Sequence, residues 1–209
     1  KGQSDQLKQM FLKKLFYLFF ILTFPLNVSS DENLSKSKVF LEKLGQEVID
    51  KVSNTKITDS ERQNNFKKLY LSSFDNYYIS RFVLGRYWKK IDTKVQKQFV
   101  DSFNNYIVAT YAPKFKGWEG TFKAIDSQIE NNYYNVKMNV INKEGPKMQM
   151  MWKLYINKNN KFKILDVNLE GVSMLVTQRA EFLSVIKNHP KGVNGLIDAM
   201  NERALAVGS

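Results

Sequence analysis

The chain has 209 residues and a formal charge of +12, from 32 basic and 20 acidic side chains, with no cysteine and a single histidine, His189. That length suits one domain of ordinary size, with or without a helical extension. Disulfides, thiolate metal sites, cysteine nucleophiles and multi-histidine metal centres are excluded by composition.

The N-terminal stretch reads differently from the rest. Lys13 and Lys14 precede an apolar run, Leu15 to Leu26, about a dozen residues long and too short to cross a bilayer comfortably as a helix. A basic segment, a short apolar segment and then small residues are the pattern of a secretory signal peptide, with Val28 and Ser30 at the −3 and −1 positions. Residues 1–30 are therefore expected to be a leader removed before Asp31, with an uncleaved N-terminal anchor as the alternative. Residues 31–209 are expected to form one α+β domain: helical over 33–116, a sheet over 120–169, and C-terminal helices over 173–206.

Leu41, Leu44, Val48 and Val52 recur at helical spacing and predict a helix over 33–52. Thr58-x-x-Glu61 is a capping box that opens a second helix, carrying Phe66, Leu69, Tyr70 and Phe74 on one side. Asp75 is placed to cap a third helix, with Gly85 to end it. Arg86-Tyr-Trp-Lys-Lys90 then reads as a short basic-aromatic link. A second box, Thr93-x-x-Gln96, predicts a fourth helix with the stripe Val95, Phe99, Phe103, Ile107 and Tyr111, stopped by Pro113.

After Gly117 the apolar period changes from 3.6 to 2. Four strands are predicted, at 121–129, 133–141, 147–156 and 162–169. Their short turns, at Asn131-Asn132, 142–146 and 157–161, demand an antiparallel meander. Tyr134, Val136, Met138 and Val140 share one face of the second strand, and Met148, Met150, Trp152, Leu154 and Ile156 one face of the third. The two rows are expected on a common covered face, with Lys137, Asn139, Gln149 and Lys153 on the wetter one. The stretch from Phe162 to Phe182 organises the whole. It carries apolar residues on both strand faces, turns at Gly171 and passes straight into a helix that Ser173 caps. A final helix is expected over 194–206. The order helices, sheet, helices implies an α+β fold: a four-stranded antiparallel meander with helices packed on one face.

No phosphate loop, nucleophile elbow or zinc helix occurs. His189 beside Asn188 and Pro190 reads as a surface or capping residue. Asp166 and Glu170 have no spacing that makes them a catalytic pair; Asp166 is expected to answer a backbone donor or Arg179. The lysines are spread over every element, and neither stacking aromatics nor a groove helix is evident, which counts against nucleic acid. The covered sheet row is rich in thioethers: Met138, Met148 and Met150 beside Trp152, with Met174 facing them from the helix. Such flexible side chains suit irregular apolar sites, but the pattern alone leaves both a ligand cavity and an ordinary filled core open.

Several segments resemble the MlaC family, also described as toluene-tolerance auxiliary proteins. They are Phe74 to Trp88, Gln98 to Phe103, Tyr111-Ala112, Trp152-Lys-Leu, Lys163 to Val167, and Glu170 to Leu175 with Arg179 and Glu181-Phe182. The resemblance spans roughly Ser35 to Met200. It implies a periplasmic, non-enzymatic phospholipid carrier that exchanges lipid with two complexes. One is an outer-membrane lipoprotein–porin complex, the other an inner-membrane ABC transporter complex with its substrate-binding subunit. It also implies an apolar pocket for acyl tails, with phospholipid as ligand and no cofactor. On that basis Phe99, Phe103, Val136, Met138, Met150, Trp152, Val172, Met174 and Leu175 are expected to line or support the pocket. Arg179 and nearby lysines are expected to attract phosphate at its mouth. The alternatives are an exported small hydrolase or isomerase on a cone-shaped α+β fold, with Asp166 as its only polar candidate, and a structural adaptor that binds no lipid.

Overall fold

The computed structural model describes residues 28–143, 145 and 147–208. The expected leader lies outside these residues, except for its last three, which are the first residues of helix α1 (Val28–Lys51). α1 thus begins before the predicted 33, so the expected cleavage point falls in its first turn.

Two side-chain ties hold α1 to the sheet and to the second helix. Buried Ser37 shares a hydrogen bond of 2.8 Å with Ser127 of the sheet. At the other end, fully buried Arg62 donates from Nη1 to the carbonyl of Val52 and from Nη2 to that of Asn54 at 3.0 Å. It thereby satisfies carbonyls that a helix C-terminus leaves without partners. Gly45 sits between these ties. A Cβ there would lie 2.5 Å from Cγ of Phe122, so only glycine lets the ring approach the α1 backbone.

α2 (Asp59–Ser73) opens on the expected box, with Glu61 N–H donating to Thr58 Oγ1 at 3.1 Å and Thr58 N–H to Glu61 Oε2 at 2.9 Å. α3 (Asn76–Leu84) is capped by Asp75, whose Oδ1 accepts from Tyr78 N–H at 3.0 Å, and ends at Gly85 with φ +51°. The expected link is a 3₁₀ helix, Gly85–Lys90. α4 (Thr93–Tyr111) is capped one residue earlier than the box implied. Asp92 accepts from Val95 N–H at 2.8 Å, while Gln96 Nε2 turns away to donate to Trp88 O at 2.9 Å. A carboxylate at the N-cap satisfies the same orphan donor as the hydroxyl and adds a favourable helix-dipole interaction.

The sheet has five antiparallel strands in the order β1–β5, not four: β1 (Gly120–Glu130), β2 (Tyr133–Asn142), β3 (Lys147–Ile156), β4 (Phe162–Leu169) and β5 (Val172–Ser173). Sequence reading passed from β4 directly into a helix. Instead Glu170 and Gly171, at φ +49° and +87°, make a two-residue reversal that pairs Val172 with Leu169. The central register brings the expected rows together: Val136 opposite Trp152, Met138 opposite Met150, Val140 opposite Met148. The apolar content of both β4 faces also has a local cause. Register slips between Lys153 and Leu154, leaving Leu165 as a buried bulge residue. The outer face is less wet than expected at one point: Asn139 is buried between Lys123 and Gln149, its neighbours in register.

α5 (Met174–Asn188) is capped by Ser173, which accepts from Val176 N–H at 3.0 Å. His189 closes it, donating its N–H to Val185 O at 2.9 Å and accepting from Lys191 N–H at Nδ1. α6 (Gly192–Gly208) starts two residues before the expected 194.

The apolar interior falls into three groups rather than one. α3 to α6 share a bundle core around Val83, Phe99, Phe103 and Phe182. The inner sheet face packs on Leu41 of α1 through Val136, Met138 and Leu154. Val48, Val52 and Leu69 join α1 to α2. Phe74 touches both the bundle and the sheet groups, and the chain is pinned there by a parallel bridge to Ile164.

Candidate functional site

Between the three groups lies a cavity of about 320 Å³. The inner sheet face supplies one wall through Phe122, Met138, Met150 and Trp152. α1 and α2 supply a second through Leu44, Val48, Phe66 and Tyr70. The third comes from Phe103 and Ile107 of α4 with Met174 and Leu175 of α5. The walls are almost wholly carbon and sulfur. Their volume lies in the range of small-molecule pockets.

Six of the ten residues singled out from sequence lie on these walls: Phe103, Met138, Met150, Trp152, Met174 and Leu175. The other four do not. Phe99 is fully buried one helical turn from Phe103 and meets Phe182 edge-on at 6.1 Å inside the bundle. Val136 is fully buried in the sheet row, beneath the wall rather than on it. Val172 is 53% exposed on β5. The Arg179 guanidinium lies 5.0 Å over the Phe82 ring and against Gly85, where it would collide with any Cβ. The α1 and α2 walls were missed. Leu41, Leu44 and Val48 were visible as a stripe, but a stripe does not say whether it meets protein or ligand. Gly45, in the same stripe, was the one available signal of a close approach.

Asp166 and Gln178, polar side chains on the cavity walls, are already engaged. Asp166 accepts from Val167 N–H at 2.8 Å, Leu175 N–H at 3.0 Å and Ser173 Oγ at 2.6 Å. Its partners are thus the Ser173 hydroxyl, the Leu175 N–H at the start of α5 and the neighbouring Val167 N–H on β4, not Arg179. Such a carboxylate is held in place by the helix N-terminus. Gln178 donates to Glu181 Oε2 at 3.1 Å. Burial pushes the Tyr70 phenol well above the ordinary tyrosine range. Burial, then the neighbouring Tyr106 and Glu181, raise that of Tyr111. Both wall phenols are therefore neutral. Trp152 Nε1 is buried with no hydrogen-bond partner among the described residues. The arrangement can hold a hydrocarbon by exclusion of water.

Among the described residues no helix is long and apolar enough to cross a membrane, and no group of His, Asp and Glu is assembled that could hold a metal ion. The model of the MlaC protein family matches residues 42–202. A solved phospholipid-binding protein from Ralstonia solanacearum, determined at 1.53 Å in complex with a phospholipid, has a similar fold. The TM-score is 0.69 at 18% identity, over 82% of this chain and 98% of that one. No curated protein sequence matches this chain.

Proposed function

The chain belongs to the MlaC family, and from that premise we propose that it is a periplasmic carrier of phospholipid that holds acyl tails in the cavity between the sheet and its helices. The observation that carries this reading is the cavity itself: three apolar groups, joined only at bordering residues such as Phe74 and Leu44, leave a space between walls of Met, Phe, Leu and Val.

The energetics of the task require such a space. A two-tailed phospholipid hides roughly 30 methylenes, each costing on the order of 0.8 kcal/mol to wet, so bare passage through water costs on the order of 20 kcal/mol. A dry cavity that imitates the bilayer removes most of that barrier and leaves hand-over near neutral at either end. Tails need no hydrogen bonds, which suits walls that are almost wholly carbon and sulfur. The headgroup stays outside, near water. The family supports exchange with an outer-membrane lipoprotein–porin complex and an inner-membrane ABC transporter complex. Catalysis is disfavoured because Asp166, the one polar candidate, spends its oxygens on the α5 N-terminus and the neighbouring Val167 N–H. A purely structural adaptor would have merged its apolar groups and filled the space.

Native mass spectrometry of the purified protein tests the proposal. The expected spectrum shows a population heavier by the mass of one phospholipid, released by collisional activation. Protein purified under the same gentle conditions with no bound phospholipid, and unable to take any up from vesicles, refutes the carrier function.

A further inference from the structure

The geometry points to a second functional surface, none of whose residues lines the cavity: a basic, aromatic face at the α3–α4 junction that docks on the headgroup layer of a membrane containing anionic phospholipid.

Its charge is concentrated and unbalanced. Between Tyr77 and Lys97 the chain carries six cations, Arg81, Arg86, Lys89, Lys90, Lys94 and Lys97, and one acid, Asp92. Asp92 is committed to the α4 N-cap. All six cations are exposed, and among the described residues none pairs with a carboxylate. Elsewhere four lysines are paired with carboxylates, Lys51 with Glu47, Lys116 with Asp59, Lys143 with Glu119 and Lys191 with Asp198, and acids are interspersed with the rest along the chain.

Contacts hold the segments that carry them together. The Tyr87 ring has Arg86 at 5.3 Å and Lys90 at 5.7 Å. In a 3₁₀ helix, residues three apart eclipse, so Arg86 and Lys89 project together. Gln96 reaches back to Trp88 and Ile91, seating the first turn of α4, with Lys94 and Lys97, against this helix. Tyr77, 59% exposed, stands edge-on to Trp88 at 5.3 Å and brings α3 into the same surface.

A lysine-rich face is commonly just solvated. This one combines uncompensated like charge with amphipathic rings, the pairing that suits a headgroup layer. There tyrosines sit at the interface and long basic side chains reach phosphate. A nucleic acid fits less well, since bases need open ring faces and both tyrosines are already in contact with neighbours.

Co-sedimentation of the full chain with vesicles tests this, using phosphatidylcholine alone and phosphatidylcholine mixed with phosphatidylglycerol. Binding is expected to the mixed vesicles only, and to weaken as salt is raised. The triple variant Arg86→Gln/Lys89→Gln/Lys90→Gln is expected to bind them roughly a hundredfold more weakly. Removing equal charge elsewhere, by Lys137→Gln/Lys158→Gln/Lys161→Gln, is expected to change binding little. Should the first variant not fold, Lys94→Gln/Lys97→Gln carries the same comparison. Indifference to phosphatidylglycerol, no vesicle binding, capture by an acidic protein alone, or equal loss in the control variant overturns the surface. Lipid retention read on the same samples separates the two proposals. Retained phospholipid without vesicle binding refutes this surface alone, and vesicle binding without retained phospholipid refutes the carrier alone.

Discussion

Met150 is the most informative single position, because it stands on the sheet wall, opposite Met138 in register and next to Leu169 across the other strand pair. Met150→Glu places a carboxyl of similar length among carbon and sulfur, with no arginine or lysine among the described residues of the cavity walls to pair with it. An unpaired carboxyl in such surroundings titrates several pH units above its free value near 4.3, and each unit is worth about 1.4 kcal/mol. The sign comes from proton uptake. The folded, lipid-filled state holds the proton more tightly than the unfolded or emptied one. The penalty is therefore absent below about pH 4 and grows as pH rises toward the raised value. At pH 8 a shift of about three units costs about 4 kcal/mol, roughly a thousandfold in lipid affinity. Water entering the cavity can solvate the charge once the tails have left, so the loss falls mainly on retention and less on folding. Phospholipid bound per protein, measured by native mass spectrometry and phosphorus assay, is expected to vanish at pH 8. It is expected to recover substantially near pH 4.5, with Met150→Gln intermediate and independent of pH. Full retention by Met150→Glu at pH 8, with unchanged circular dichroism, would show that the tails lie elsewhere.

Arg62→Ala is expected to cost about 3 to 5 kcal/mol in urea unfolding, since it orphans the carbonyls of Val52 and Asn54 and empties a fully buried site. A cost below about 1 kcal/mol would refute the clamp. Asp166→Asn keeps one acceptor oxygen for the α5 N-terminus, so a loss of about 1 to 2 kcal/mol is expected with lipid retention unchanged. Abolished lipid transfer in a folded Asp166→Asn protein would instead give that carboxylate a direct role. Burial, with the hydrogen bond to Asp75, pushes the Tyr155 phenol up to about 12. Folding thus favours the protonated form, and this contribution, complete below about pH 10, is lost as pH rises toward 12. Alkaline absorbance titration of Tyr155→Phe is expected to lack one late-ionising phenol, and an unchanged late phase would refute the assignment. Delipidated protein is expected to melt about 5 to 10 °C below the lipid-bound form by calorimetry, and coincident transitions would show that nothing fills the cavity.

The sheet register was legible because period-2 patterning fixes which residues share a face: Met138 and Met150 could meet only if the short turns made a meander. The α2 capping box was legible for the same kind of reason, since it is built within four residues. What sequence could not supply were contacts between distant segments. Arg62 looked like any helix surface cation, and only the return of Val52 and Asn54 makes it the largest fully buried side chain. For Asp166 the sequence left a backbone donor and Arg179 both open, and the β4–β5 reversal decides for the backbone by bringing Ser173 and the α5 N-terminus to the carboxylate. Glu170 at φ +49° has no sequence signature, because glutamate does not favour the left-handed region and the turn forces it there. The cavity was undecidable from pattern, as a row of methionines and aromatics reads alike whether it packs on protein or on lipid.

The separation of the three apolar groups is what ties function to stability. Empty apolar volume costs on the order of 24 cal/mol per Å³, so 320 Å³ walled entirely by protein would cost about 8 kcal/mol against a filled core, comparable to the whole stability of a typical domain. A chain selected only to fold would close such a gap by drawing α1 onto the sheet. Here the obstacle is built in. Phe122 already touches the α1 backbone at Gly45, Ser37 fixes one end of the helix to Ser127, and Arg62 fixes the other to α2. These ties set the distance between the walls independently of what fills them. On the proposed carrier function, acyl tails supply the contacts that the side chains withhold, so the cargo completes the core and its departure leaves the ties to carry the fold.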